Sequence, residues 1–201
     1  MNNENKRLIE KPVSSDHVFD GRLLQVYVDE VQLPDGSNST RDWIKHPGAS
    51  AVVPVFEDGT IMLLKQFRYP PRKIFIEVPA GKLDSGEPPI ITAKRELLEE
   101  TGVECEFMEN AGSFFPAIGY ADEEIHVFVA WGLKMKEKNS DDDEFVINHR
   151  VHFSEALQMI ETGEIDDGKT ICSLIKAYQW WLRHKPFEVE FDIKKKDQIE
   201  D

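Results

Sequence analysis

Three glutamates, Glu96, Glu99 and Glu100, crowd the last turns of a helically spaced segment, and no other feature restricts this chain so tightly. Residues 88–101 read as that helix. Pro88 and Pro89 open it, where the first amides lack helical partners anyway, and Gly102 closes it as a left-handed cap. Ile90, Ala93 and Leu97 supply the core stripe. At about 100° per residue, Glu96 and Glu100 lie about 40° apart, with Glu99 about 60° to the other side of Glu96. Three carboxylates thus share one face, with Arg95 as the basic neighbour. Like charges at these spacings cost a helix roughly 0.2–0.5 kcal/mol per pair, and the dipole disfavours anions near a C-terminal end. Two readings follow: a solvated acidic face, or hard oxygen ligands for a divalent cation such as Mg²⁺ or Mn²⁺.

The surrounding pattern bounds the architecture. Residues 24–33 alternate loosely and break at Pro34-Asp35-Gly36, which makes 40–46 a returning strand. Residues 51–56 and 60–66 flank Glu57-Asp58-Gly59 and predict a second hairpin, and 74–78 form a short run ending at Pro79. Beyond Gly102, residues 104–108 and 125–131 read as strands separated by a loop at 114–122. Residues 139–144 form an acidic loop, and 154–162 and 170–184 read as helices, the latter carrying Leu174, Tyr178 and Trp181 on its apolar stripe. Strands, helix, strands, helices predict an α+β fold with a mixed sheet, not a βαβ repeat. Neither a dinucleotide-binding glycine fingerprint nor a P-loop occurs.

Composition excludes several classes. With 201 residues the chain suits one sizeable core, and 12 Phe with 4 Trp argue against disorder. A formal charge of −14 repels phosphate backbones, so nucleic acid is not an expected partner. No apolar stretch reaches the roughly 18–20 residues of a membrane span, and no apolar leader follows the polar start, so no membrane partner is expected. Two cysteines, Cys105 and Cys172, are too few for a disulfide scaffold and suit a reducing, cytoplasmic setting. The histidines form no paired-ligand pattern and read as structural or surface groups.

The flanks of the acidic helix decide between its two readings. The run fits Gly-x5-Glu-x7-Arg-Glu-U-x-Glu-Glu-x-Gly-U, with U aliphatic, through Gly81, Glu87, Arg95, Glu96, Leu97, Glu99, Glu100, Gly102 and Val103. At average composition such a match arises by chance about once in 10⁷ chains of this length. The pattern is the Nudix box, and the chain resembles the Nudix hydrolases. The resemblance implies the Nudix α/β/α sandwich, with residues 1–48 as an additional N-terminal strand segment serving dimerisation. Residues 49–185 would be the hydrolase domain and 186–201 a charged tail. It also implies Mg²⁺, with Mn²⁺ as the substitute, held by Glu96, Glu99, Glu100 and the Ala80 carbonyl. Gly81, Glu87, Arg95 and Gly102 would shape the box, Arg95 and Glu87 fixing the loop against the helix.

Other stretches resemble the ADP-ribose pyrophosphatases and nucleoside-diphosphate-sugar hydrolases: Arg41-Asp42-Trp43, residues 66–70, Glu77-Val78-Pro79-Ala80-Gly81, residues 143–146 and Lys169-Thr170. That likeness implies metal-dependent hydrolysis of the pyrophosphate bond of ADP-ribose or a related nucleotide sugar, by a homodimer. GDP-mannose-type or other nucleotide pyrophosphohydrolysis is the alternative, and after it a non-catalytic nucleotide-sugar sensor. The implied catalytic residues are Glu99 and Glu144, the latter as general base, although Glu144 also reads as one more solvated acid. Arg68 matches a phosphate-contacting arginine or a surface ion pair, and Trp43 an adenine-stacking aromatic or a packed core residue. The loop Ala117-Ile118-Gly119-Tyr120-Ala121-Asp122-Glu123 keeps the family's Gly119 and Glu123 as substrate contacts. Ile118 replaces the proline that marks ADP-ribose preference, which weakens that preference.

Overall fold

The computed structural model describes residues 4–136 and 145–188. The chain divides into two units, one of residues 1–48 and 115–124, the other of residues 49–114 and 125–201.

The first unit is an antiparallel meander of β1 (Lys11–Asp20), β2 (Gln25–Gln32) and β3 (Asn38–Lys45), after a short 3₁₀ turn at Asn5–Leu8. The turn at Pro34-Asp35-Gly36 forms as the sequence predicts: Gly36 takes φ +91°, and Asp35 accepts the Ser37 amide at 3.0 Å. Strand β1 is an addition to the sequence reading. All ten of its residues are exposed, so it carries no burial alternation to detect, and it exists through its ladder to β2. Side chains reinforce the ladder crosswise. Arg41 of β3 forks onto Glu10, and His17, Tyr27 and Trp43 stack in register at 4.6 and 5.0 Å. The 115–124 segment joins this unit through the Ile44 amide, which donates to the Tyr120 carbonyl at 2.8 Å.

The second unit contains β4 (Ala49–Pro54), β5 (Thr60–Arg68), β6 (Lys73–Glu77), β7 (Ala80–Lys82), α1 (Pro89–Thr101), β8 (Val103–Phe114), β9 (Ile125–Met135), β10 (Val146–His152), α2 (Phe153–Thr162) and α3 (Gly168–His184). One sheet runs β7-β4-β9-β8, with β4 and β9 parallel and the other pairs antiparallel; a second runs β10-β5-β6. Strand β4 is buried throughout, because alternate residues feed two cores. Val52 joins Ala93 and Leu97 of α1, while Ala51 and Val53 join Phe153, Leu174 and Trp181 of α2 and α3. The sheets therefore lie between α1 on one side and α2 with α3 on the other: the mixed-sheet α+β sandwich that the box implied.

The second hairpin is a correction. The Asp58-Gly59 turn forms, with Gly59 at φ +77°, but after the single bridge Val55–Ile61 the two strands part into different sheets. Both edges of β4 are taken, by β7 and β9, and both edges of β5 by β6 and β10. A turn signal fixes a reversal of direction, not the partner beyond it. Strand β8 also outruns its predicted end at residue 108, because Gly112 (φ +109°) forms a bulge instead of a stop. Strands β7 and β10 were not legible: Ala-Gly-Lys has no strand character, and β10 is mostly exposed.

Candidate active site at the acidic helix

Helix α1 begins at Pro89 after the extended Pro88 and ends at Gly102 (φ +71°), whose amide donates to the Leu98 carbonyl at 2.8 Å. With Ala93 and Leu97 facing the core, the carboxylate face is turned partly inward: Glu96 is only 9% exposed and Glu100 3%. A solvated acidic face is not what forms. The Ala80 amide donates to Glu100 Oε2 at 2.8 Å. The Glu96 carboxylate fills the space above Gly81, where a Cβ would lie 1.9 Å from Oε1. A glycine is required there for close approach, not for its φ.

Arg95 gathers the remaining acids. Its Nη1 donates to Glu96 Oε1 at 2.7 Å and to Glu99 Oε2 at 3.1 Å, and its Nη2 lies 3.3 Å from Glu87 Oε2, which also accepts the Thr92 hydroxyl at 2.6 Å. Burial works against the guanidinium charge, but the Glu96 carboxylate and the bonds to Glu87, Glu96 and Glu99 hold its proton more tightly than usual. The Thr92 hydroxyl, with Arg95, keeps Glu87 below its ordinary range. Two carboxylates thus converge on one cationic nitrogen, a donor set of hard oxygens that fits Mg²⁺ or Mn²⁺. Among the described residues no group of three or more acidic, histidine or cysteine side chains stands ready around one point. Glu96 and Glu99 are turned onto Arg95 and Glu100 onto the Ala80 amide.

A second charged cluster adjoins the box and was not assembled from sequence. Glu77, 3% exposed, accepts Arg68 Nε and Nη2, both at 2.7 Å, and lies 3.1 Å from Lys169 Nζ. Asp167 caps α3 by accepting the Thr170 amide at 2.9 Å, and also lies 3.3 Å from Lys169. Burial alone would push the Glu77 and Asp167 carboxyls up. The hydrogen bonds from Arg68 and the Lys169 charge hold Glu77 below its usual range, and Lys169 with Thr170 does the same for Asp167. The stretches holding Glu77 and Lys169 stood out in the sequence, but nothing local paired residues so far apart.

The other candidates are placed as follows. Trp43 stacks on Tyr27 in the meander, its Nε1 buried without a hydrogen-bond partner among the described residues. Glu123 Oε1 lies 3.6 Å from His46 Nδ1, and Gly119 lies in the same 115–124 segment, where Ile118 is 83% exposed. Ala80 and Gly81 open β7 directly under α1. Glu144 lies outside the described residues.

A NUDIX domain model matches residues 45–174, most of the chain. The chain belongs to the Nudix family. A second model, the nucleoside diphosphate sugar hydrolase N-terminal domain, matches residues 10–44 of this Nudix hydrolase. It is 44% identical over 179 residues to a methanol dehydrogenase activator of Bacillus methanolicus, covering 88% of this chain and 97% of that one. It is 42% identical over 167 residues to an ADP-ribose pyrophosphatase of Bacillus subtilis, covering 82% and 90%. Against a GDP-mannose pyrophosphatase of Escherichia coli it is 34% identical over 136 residues, covering 63% and 71%. Among solved structures, an ADP compounds hydrolase superposes with a TM-score of 0.75 at 19% identity, over 86% of this chain and 95% of that one; the likeness is one of fold.

Proposed function

We propose that this Nudix hydrolase cleaves the pyrophosphate bond of ADP-ribose or a closely related nucleoside diphosphate sugar, giving a nucleoside monophosphate and a sugar phosphate. The observation that carries the reading is the complete box, with Glu96 seated over Gly81 and Glu100 on the Ala80 amide. Glu96, Glu99, Glu100 and the Ala80 carbonyl would hold Mg²⁺, or Mn²⁺ in its place. Bound there, the metal would supply charge neutralisation on the diphosphate and an acidified water. The chain's own residues do the rest. Arg95 and Glu87 fix the loop against the helix, and Arg68 offers a guanidinium to phosphate oxygens. Trp43, Gly119 and Glu123 are assigned to the nucleoside and sugar ends, and Glu144 to general base.

The test is turnover of an ADP-ribose, GDP-mannose and nucleotide-sugar panel with Mg²⁺, followed by release of nucleoside monophosphate. ADP-ribose or a near relative should be hydrolysed; no turnover of any member ends the reading, and GDP-mannose as best substrate corrects it. The relative at 44% identity adds one arm, the rate of a purified methanol dehydrogenase with and without the protein.

We further assign residues 1–48 to pairing of two chains, residues 49–185 to catalysis and residues 186–201 to a charged tail. Val13, Val18 and Phe19 of β1 are all more than half exposed, an apolar surface for a second copy to cover. Light scattering should give the mass of two chains, and a one-chain mass removes the assignment. Cys105 and Cys172 are free thiols, and no helix among the described residues is long and apolar enough to cross a membrane; the cytoplasm is the compartment we assign.

A further inference from the structure

The ends of β5 and β6 and the first turn of α3 meet around one buried carboxylate, and its partners are more numerous than neutrality requires. Glu77 is already neutralised by the Arg68 fork at 2.7 and 2.7 Å, yet Lys169 Nζ also stands 3.1 Å away. Asp167, 3.3 Å from Lys169, brings the four charges to balance. A buried ion needs pairing, so the cluster is costly to break from either side.

The two cations have divided tasks. Lys169 is mostly buried, and its ammonium is occupied by Glu77, Asp167 and the Val78 carbonyl at 3.4 Å. Arg68 is half-exposed; Nε and Nη2 are committed to Glu77, which leaves Nη1 as the edge of the guanidinium not committed to that carboxylate. Arg68 also feels the charge of Glu100. The backbone links them. The Val78 amide donates to Thr170 Oγ1 at 3.0 Å, the Pro79 carbonyl accepts the Val52 amide at 2.9 Å, and the Ala80 amide donates to Glu100 at 2.8 Å. The anchor of Arg68 and the anchor of Glu100 therefore belong to one pinned segment.

We propose that Glu77, held from behind by Lys169, is a positioning residue that locks the Arg68 fork and presents Nη1 to the phosphate oxygens of the diphosphate beside Glu100. The inference rests on the pyrophosphohydrolase reading and deepens it. A guanidinium held by two parallel bonds keeps its plane, so it binds an oxyanion without first losing its freedom of rotation. A lysine at the same place keeps the charge and loses the plane.

The experiment compares Glu77→Gln, Arg68→Lys, Arg68→Ala and the double variant Glu77→Gln/Arg68→Ala. It reads kcat and KM on the substrate that the panel identifies, and calorimetric affinity for the α,β-methylene analogue of ADP-ribose with Mg²⁺. Glu77→Gln should raise KM and weaken analogue binding by about tenfold, with kcat within about threefold. Arg68→Lys should do the same despite its retained charge, and the double variant should be no worse than Arg68→Ala. An ion pair serving stability alone would lower the melting temperature and leave KM and analogue affinity where they were; that result, or additive losses in the double variant, overturns the proposal. Should Glu77→Gln fail to fold, Arg68→Lys decides the matter by itself. Analogue binding that depends on Glu77 in a wild type without turnover sinks the hydrolase reading and keeps the positioning. Turnover indifferent to Glu77 does the reverse.

Discussion

Replacing Gly81 with alanine should leave the fold standing and the activity all but gone. The new Cβ would lie 1.9 Å from Glu96 Oε1 and 2.1 Å from its carboxyl carbon, so the carboxylate has to leave. What it meets is the far end of a flexible side chain, not backbone, so we expect a stability loss of about 1–3 kcal/mol, the usual range for overpacking. The displaced group is a proposed cation ligand that also bonds Arg95 at 2.7 Å, and turnover should fall about a hundredfold, as when the geometry around a metal is disturbed. Thermal melting and steady-state rates on the same preparation check both halves. Full activity in a well-folded Gly81→Ala protein removes Glu96 from the site.

Glu100→Gln separates charge from shape at the neighbouring position. The glutamine carbonyl oxygen can still accept the Ala80 amide that Glu100 Oε2 accepts at 2.8 Å, so β7 and α1 stay joined. What disappears is a buried negative charge on the inner face of the helix. Turnover should drop by more than tenfold, ~1.4 kcal/mol of barrier, and the Mg²⁺ concentration for half-maximal rate should rise. A smaller drop, with melting unchanged, excludes Glu100 as an essential ligand.

Both variants probe residues that are legible in the sequence, and the reason is local. Arg95, Glu96, Glu99, Glu100 and Gly102 lie within one helix and its cap, where spacing alone fixes which side chains share a face. The α+β character was legible for the same reason: β4, β5 and β9 are apolar runs, and α3 carries its core residues at helical steps. What stayed hidden depends on partners distant in sequence. Strand β1 has no buried residue to mark it, and the three residues of β7 become a strand only because β4 lies beside them. The hairpin reading of residues 51–66 saw a correct turn and could not see β9 and β10 arriving later to claim the free edges. In the sequence Glu77 is one residue of a motif; that it is a buried anion shared by Arg68 and Lys169 is a product of the folded sheet.

The parallel pairing of Ala49 with Ile125 has a consequence for how the molecule comes into being. During synthesis the residues of α1 emerge well before those of β9, so the acidic segment is made while Phe128 and Ala130, which finish its apolar seat, are still unmade. Non-local pairing of this kind closes slowly and late. A nascent chain stopped short of Ile125 would carry every residue of the box with Phe128 and Ala130 still missing from the seat beneath it.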